Sequence, residues 1–359
     1  MKTVSSNLTV VLTFSVALLF FNESSPAQII FDNGDVNVVD SLLADYIVVQ
    51  DSVAGAATTV TVEDGADIPS FDPENEDTSI MVSGSSIVEI SGGVTAGGFN
   101  LLGNSMGIFS AGVVGDEVQT FDNTFLTIGT PDGNAAVLDI QDDLEVGGNS
   151  IVDMYDGRVF DDVETSNSAV LNLFGGEYDE DIEAFDNSVI NIFGGIYSTG
   201  FGDLDDIEGG EIAVEDDEVV NSAQINIHGG FFMGALFDPD FCAQGNGTMM
   251  IFGSDFAVDG VEVEFGPIEA ESGLLTGILE DGSELNNDFI QLDNGVIILV
   301  EVGGLVGDVN CDGVIDLLDV SPFVEAVSGG SFNSKADINM DGVVDLLDVG
   351  PFVALLSGN

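Results

Sequence analysis

The sequence predicts a mainly β protein: a parallel β-helix (β-solenoid) with a short antiparallel β cap and a small α-helical domain at its C-terminus. Three observations predict it. A motif built on a glycine pair returns along the middle of the chain, in LNLFGGEY from Leu171, NIFGGIY from Asn191 and INIHGGFF from Ile225. The residues before each pair alternate apolar with polar, the period of a strand with one buried face, and no helical period competes with it. Near the C-terminus one acidic twelve-residue pattern occurs twice, each copy running into an apolar segment of helix length.

Residues 1–27 read as a secretion signal. Lys2 is a minimal positive start, Leu8 to Phe21 is a 14-residue run without charge, and Ser25-Pro26-Ala27 offers small residues for cleavage before Gln28. A membrane span needs about 20 apolar residues, so the expectation is a secreted, extracellular or cell-surface protein that does not span the membrane. No cysteine follows the run, which argues against a lipoprotein.

Residues 28–268 form the expected β-solenoid. Aligning on the glycine pairs places Tyr155, Phe174, Phe193, His228 and Phe252 in one slot, at intervals of 19, 19, 35 and 24 residues. Loops inserted into a basic period of 19 or 20 explain the longer intervals, and such a period is the signature of stacked rungs. VEISGGV from Val88 and MGIFSAGV from Met106 are more worn copies, and Asn167-Ser168, Asn187-Ser188 and Asn221-Ser222 read as rung openings. Alternation puts Leu171, Leu173, Ile190 and Ile192 inside and leaves Asn172 and Asn191 on the outer face or in a ladder. A β-sandwich is the alternative, with strands every 8–12 residues and no rung-like glycines. From about Gly273 the texture changes to strands joined by turns at Asp281-Gly282 and Asn294-Gly295. Residues 269–303 are therefore read as a small antiparallel cap over the open end of the stack.

The tail, residues 304–359, holds the duplicated pattern: DVNCDGVIDLLD from Asp308 and DINMDGVVDLLD from Asp337. Oxygen-bearing side chains stand at positions 1, 3, 5, 9 and 12, as Asp308, Asn310, Asp312, Asp316 and Asp319, then Asp337, Asn339, Asp341, Asp345 and Asp348. Ca²⁺ takes six to eight oxygens, which a short loop supplies only by wrapping round the ion. Gly313 and Gly342 at position 6 permit the sharp turn, the carbonyls of Val314 and Val343 supply the seventh-position ligand, and Ile315 and Val344 at position 8 anchor each loop to a core. Without an entering helix, each unit is a loop followed by a helix. The tandem resembles the type I dockerin module, a calcium-dependent docking domain that plugs enzymes into cohesin domains on a scaffold. Similar tails end many secreted proteins of marine planctomycetes. The resemblance covers about 55 of the 359 residues and implies Ca²⁺ as cofactor and a cohesin-like or other docking protein as partner. It implies contact through loop positions 10 and 11, where this chain carries Leu317, Leu318, Leu346 and Leu347. Pro322 and Pro351 fall a turn into the expected helices, where proline removes a backbone bond and kinks or restarts the helix.

Composition excludes several functions. The chain carries 65 acids against 3 bases, a formal net charge of −62. Such self-repulsion is tolerable only when salt or divalent ions screen it, which fits a saline, calcium-containing exterior. Nucleic acid is excluded as a partner, since its binding needs Lys and Arg contacts; anionic membranes and anionic polysaccharides are disfavoured on the same ground. A neutral polysaccharide is compatible. A uronate lyase would need cationic side chains, and only Arg158 stands in the solenoid. A glycoside hydrolase needs only two suitably spaced carboxylates and remains the alternative to a docking and scaffold role. No Asn-Thr-Asp, Gly-His-Gly or Arg-x-Lys series marks such a site, and no catalytic residue is assigned. His228, the one histidine, fills the slot of Phe174 and Phe193, so it reads as a stacking residue rather than an acid or base. Cys242 and Cys311 form no zinc spacing with it. They are either a disulfide tethering the first loop to the preceding domain or two small apolar residues. Acidic clusters at Asp179–Glu183, Asp203–Glu208 and Glu215–Glu218 read as solvated loops between rungs, with further calcium as the alternative.

Overall fold

The computed structural model describes residues 28–43, 45–70, 78–131, 138–198, 212–214, 222–233, 240–302, 307, 309–310, 315–329, 335–336, 338–339 and 344–356. The expected signal segment and Cys311 lie outside them. Among the described residues the protein is mainly β, one large mixed sheet followed by two short helices.

The sheet is organised as three parallel ladders. One runs from Gln28–Phe31 and Tyr46–Val49 through Val163–Thr165 and Ile182–Ala184 to Glu284–Gln291. The second starts at Val36–Val39 and passes through Ile151–Met154, Val170–Leu173 and Val189–Ile192 to Val296–Glu301. The third includes Asp67–Ile68, Arg158–Val159, Glu177–Tyr178 and Ile196–Ser198 and ends at Phe231–Met233. In the middle of the chain the register equals the sequence repeat: Leu171 pairs with Ile190, Val163 with Ile182 and Tyr178 with Tyr197. An antiparallel sandwich does not produce such pairings. The two worn copies, Ile87–Thr95 and Met106–Val114, are longer strands that pair with one another through register shifts and serve two ladders at once.

Alternation drives this arrangement. Inward columns such as Val152, Leu171, Ile190 and Ile225 are fully buried, in one apolar core that runs from Val39 to Leu299. The expected outward pair, Asn172 and Asn191, lies in a hydrogen-bonded ladder, with Asn172 Nδ2 donating to Asp153 Oδ1 at 2.7 Å and Asn191 Nδ2 to Asn172 Oδ1 at 2.8 Å. The corner after each strand needs a positive φ. Gly195 supplies it at +117°, and a Cβ there would stand 3.1 Å from the Tyr197 hydroxyl. Where the chain turns back before the next strand, Asn167 and Asp186 take φ near +60°, a region that Asn and Asp enter more readily than other side-chain-bearing residues.

The C-terminal end of the sheet carries all of its antiparallel pairings among the described residues. Ser272–Leu279 and Glu284–Gln291 form a hairpin, with Gly282 at φ +93° in the expected Asp281-Gly282 turn. The second expected turn places its positive φ at Asp293, one residue before Asn294-Gly295. The cap also continues the ladders, since Phe289 pairs in parallel with Phe241 and Ile297 with Met249.

Beyond the sheet, helices α1 (Val320–Gly329) and α2 (Val349–Leu356) close a second small core of Val309, Phe323, Ala326, Ala336 and Phe352. The rings of Phe323 and Phe352 stack at 3.9 Å. Lys335 Nζ donates to Glu301 Oε2 at 2.8 Å, tying this unit to the last strand. The prolines correct the expectation of a kink. Each helix begins immediately after Asp319 or Asp348, so Pro322 and Pro351 occupy the first turn, where the backbone N–H has no intrahelical partner to lose.

Leu171→Ala, deep in the inward column, is expected to cost about 2–5 kcal/mol, whereas Val170→Thr on the outer side of the same strand costs about 1 kcal/mol or less. Urea unfolding of the two variants checks this, and equal losses would refute the assignment of faces.

Candidate calcium loops and an acidic face

Six of the twelve expected loop ligands, Asn310, Asp316, Asp319, Asn339, Asp345 and Asp348, lie within the described residues. Asp308, Asp312, Val314, Asp337, Asp341 and Val343 lie outside them. In both loops the position-12 carboxylate is fully buried and grips the amides of positions 3 and 9. Asp319 accepts from Asn310 N at 2.9 Å and Asp316 N at 2.8 Å. Asp348 accepts from Asn339 N at 3.1 Å, Asp345 N at 2.9 Å and Ile338 N at 2.8 Å. The end of each loop is thus folded over its beginning. Burial works to raise the Asp348 pKa, but the amides of Asp345, Asn339 and Ile338 outweigh it and hold this carboxyl below its ordinary range. It is therefore ionised at neutral pH. A carboxylate offers about four lone-pair sites, so Asp319, with two amides, keeps acceptor capacity beyond them. Among the described residues no ion pair involves either aspartate; the pairs formed are Arg158–Asp179 and Lys335–Glu301. The donor set is all oxygen, as a hard divalent cation requires.

The loops also shape what they show to solvent. Asp316 Oδ1 accepts from Leu318 N and Asp345 Oδ1 from Leu347 N, both at 2.6 Å. These tight turns leave Leu317 80 % exposed and Leu346 79 % exposed. Leu318, Leu347 and the matched helix positions Val324 and Val353 are exposed beside them, so the apolar patch is duplicated with the loop.

A feature missed at the sequence level lies along the first ladder. Glu145, Glu164 and Glu183 stand in register on successive parallel strands, so the Asp179–Glu183 cluster is not only a solvated loop. Beside them Asp162 N donates to Asp143 Oδ1 at 3.0 Å and Asp181 N to Asp162 Oδ1 at 3.1 Å. Ligand-capable oxygens of Glu117, Asp143 and Glu145 lie within 4.8 Å of one another, as do those of Asp142, Asp143 and Asp161. These stacks were in principle legible, because Asp143, Asp162 and Asp181 repeat at the interval that separates Leu171 from Ile190. Burial first, then the charges of Glu145 and Asp116, push Glu117 up to about 7. Burial raises Asp143 to about 7 against the opposing amide of Asp162, with Asp142 and Asp161 adding to the rise. Burial and the charge of Asp161 take Glu180 to about 7 as well.

The single histidine stacks as expected, with its ring centroid 4.8 Å from that of Phe193 and 4.0 Å from that of Phe252. Its Nδ1 meets Glu280 Oε2 at 2.6 Å, a partner from the cap that the sequence did not point to. Arg158 is engaged by Asp179 and lies over the Phe160 ring at 4.0 Å, an arrangement unlike a base poised for proton abstraction. Cys242 is buried in the strand Phe241–Ala243.

Compared with known protein families, curated proteins and solved structures, the chain matches none.

The acidic face sets a pH dependence. Carboxyls raised in the folded state hold protons that the unfolded chain releases, so stability falls as pH rises. The penalty is absent below about pH 4, grows through the window up to about pH 7 and is complete above it. The protein in chelator is expected to melt at a higher temperature at about pH 5 than at about pH 8, with the gap narrowed by Glu117→Gln and Glu180→Gln. A melting temperature that rises over the same interval would contradict it.

Proposed function

We propose that this is a secreted calcium-binding protein whose dockerin-like tail docks an acidic β-solenoid into an extracellular or cell-surface, glycan-associated assembly. The observation that carries the reading is the duplicated loop closure, in which Asp319 and Asp348 make matching amide contacts beside matching exposed leucine pairs. Asp308, Asn310, Asp312, Asp316 and Asp319, with the Val314 carbonyl, would hold one Ca²⁺. Asp337, Asn339, Asp341, Asp345 and Asp348, with the Val343 carbonyl, would hold the other. The ion supplies the positive charge that lets these carboxylates converge, so binding is coupled to folding of the tail. Leu317, Leu318, Leu346 and Leu347 then form two equivalent apolar contacts for a cohesin-like or other docking protein. In this reading the three ladders are the three faces of a parallel β-helix, supported by their shared 19-residue register.

The reading predicts that calcium shields residues 304–359 of the mature full-length chain from protease, followed by mass spectrometry. Asp312→Ala combined with Asp341→Ala should remove the shielding and leave the melting of the β body unchanged. A tail cut equally fast with and without calcium would defeat the proposal.

One observation favours a second reading, polysaccharide hydrolysis: Glu117, with its pKa pushed up to about 7, stands beside Glu145 and Asp143 as a general acid stands beside a second carboxylate. The docking reading expects no reducing ends to be released from neutral or sulfated polysaccharides in calcium-containing saline. Release above a boiled control, lost in Glu117→Gln, would replace it.

A further inference from the structure

Charge is segregated on this molecule. The outer side of the second ladder consists of two columns, one residue each from eleven parallel strands among the described residues. In a chain with 65 acids, these columns contain only Glu89 and Asp153 and no base. We infer that this neutral face is the docking surface for an extended, uncharged polysaccharide lying along the ladder. The inference rests on the reading of the β body as glycan-associated and adds which face makes the contact and with what chemistry.

The face is striped in the way such a ligand requires. One column is apolar through Met106, Phe125, Ile151, Val170 and Val189, with Ile151 43 % exposed. Next to it runs the polar column. Asn226 Nδ2 donates to Asn191 Oδ1 at 2.8 Å and Asn191 Nδ2 to Asn172 Oδ1 at 2.8 Å. Each of these bonds uses one of an amide's two N–H groups and one acceptor site, so Asn172 and Asn191 each keep a donor and an acceptor. The third stripe is the stack of Tyr155, Phe174 and Phe193, with centroids 4.7 and 5.0 Å apart and planes within 8° of parallel. Stacking occupies the ring faces, and the apolar edges of Phe174 and Phe193 are what remain exposed.

These stripes match a sugar chain chemically. C–H surfaces of the rings meet the apolar column and the aromatic edges, and hydroxyls meet the amides. Strands repeat every ~4.8 Å, close to the length of one residue in an extended polysaccharide, so successive strands meet successive sugars, with the same amide at Asn172, Asn191 and Asn226. Amides lose far less than carboxylates when water is removed, which separates this face from the acidic one. An anionic polymer is repelled by the whole chain. A second copy is disfavoured by the net charge of −62.

The test uses the mature full-length protein with microcrystalline cellulose and with chitin, suspended in calcium-containing saline, measuring the bound fraction; soluble pectate is the anionic control. Binding to at least one neutral polymer and none to pectate is expected. Ile151→Lys with Val189→Lys should weaken binding roughly tenfold or more, and the uncharged pair Ile151→Asn with Phe174→Asn should weaken it in the same direction with an unchanged circular dichroism spectrum. Glu164→Gln with Glu183→Gln should leave it unaltered. So should Asp312→Ala with Asp341→Ala, which separates this surface from the docking tail. No binding to either polymer, or binding that survives both neutral-face variants, overturns the inference. Self-association in sedimentation that Ile151→Lys abolishes overturns it in favour of a second copy.

Discussion

The interaction on which everything else depends is the in-register parallel pairing of strands one repeat apart. It turns a one-dimensional repeat into columns, because equivalent residues of successive repeats stand directly over one another. Inward columns rich in Leu, Ile and Val make an apolar core, and outward columns multiply whatever the repeat carries. A single phenylalanine would be a surface residue of little consequence; repeated at Phe174 and Phe193 it becomes a stack. A single glutamate would be a solvated charge. Repeated at Glu145, Glu164 and Glu183 it becomes a field.

That amplification explains which parts of the molecule could be read from the sequence. Alternation is local, so the inward positions Leu171, Leu173, Ile190 and Ile192 were legible without knowing any pairing. The stacking slot of His228 was legible too, because the Gly-Gly pair fixed its alignment. The acidic columns depend on register alone, with no glycine or aromatic to announce them, and Asp181 read only as part of a solvated loop cluster. The His228–Glu280 contact joins residues 52 apart through the returning cap, which no local pattern encodes.

At the tail the duplicated acidic pattern was legible, but what organises the loop was not. Asp319 and Asp348 hold backbone amides as well as offering oxygens. Their backbone carbonyls also accept the amides of Phe323 and Phe352, the first bonds of the helices that follow. Placing the helix start there, instead of earlier, is what converts Pro322 and Pro351 from interruptions into acceptable first-turn residues. One aspartate therefore couples loop closure to helix initiation in each copy, and the stacked Phe323 and Phe352 couple the copies to one another.

The C-terminal strands have a consequence of another kind. Glu284–Gln291 pairs with a ladder strand on one side and with Ser272–Leu279 running the opposite way on the other. Val296–Glu301 is treated similarly, with Gly266–Pro267 lying antiparallel beside it. With a partner on each side, neither strand leaves a row of unpaired backbone groups along its second edge. The cap thus seals the edges at which the ladders end, so the last layer of the stack is not an open template for another chain's strand.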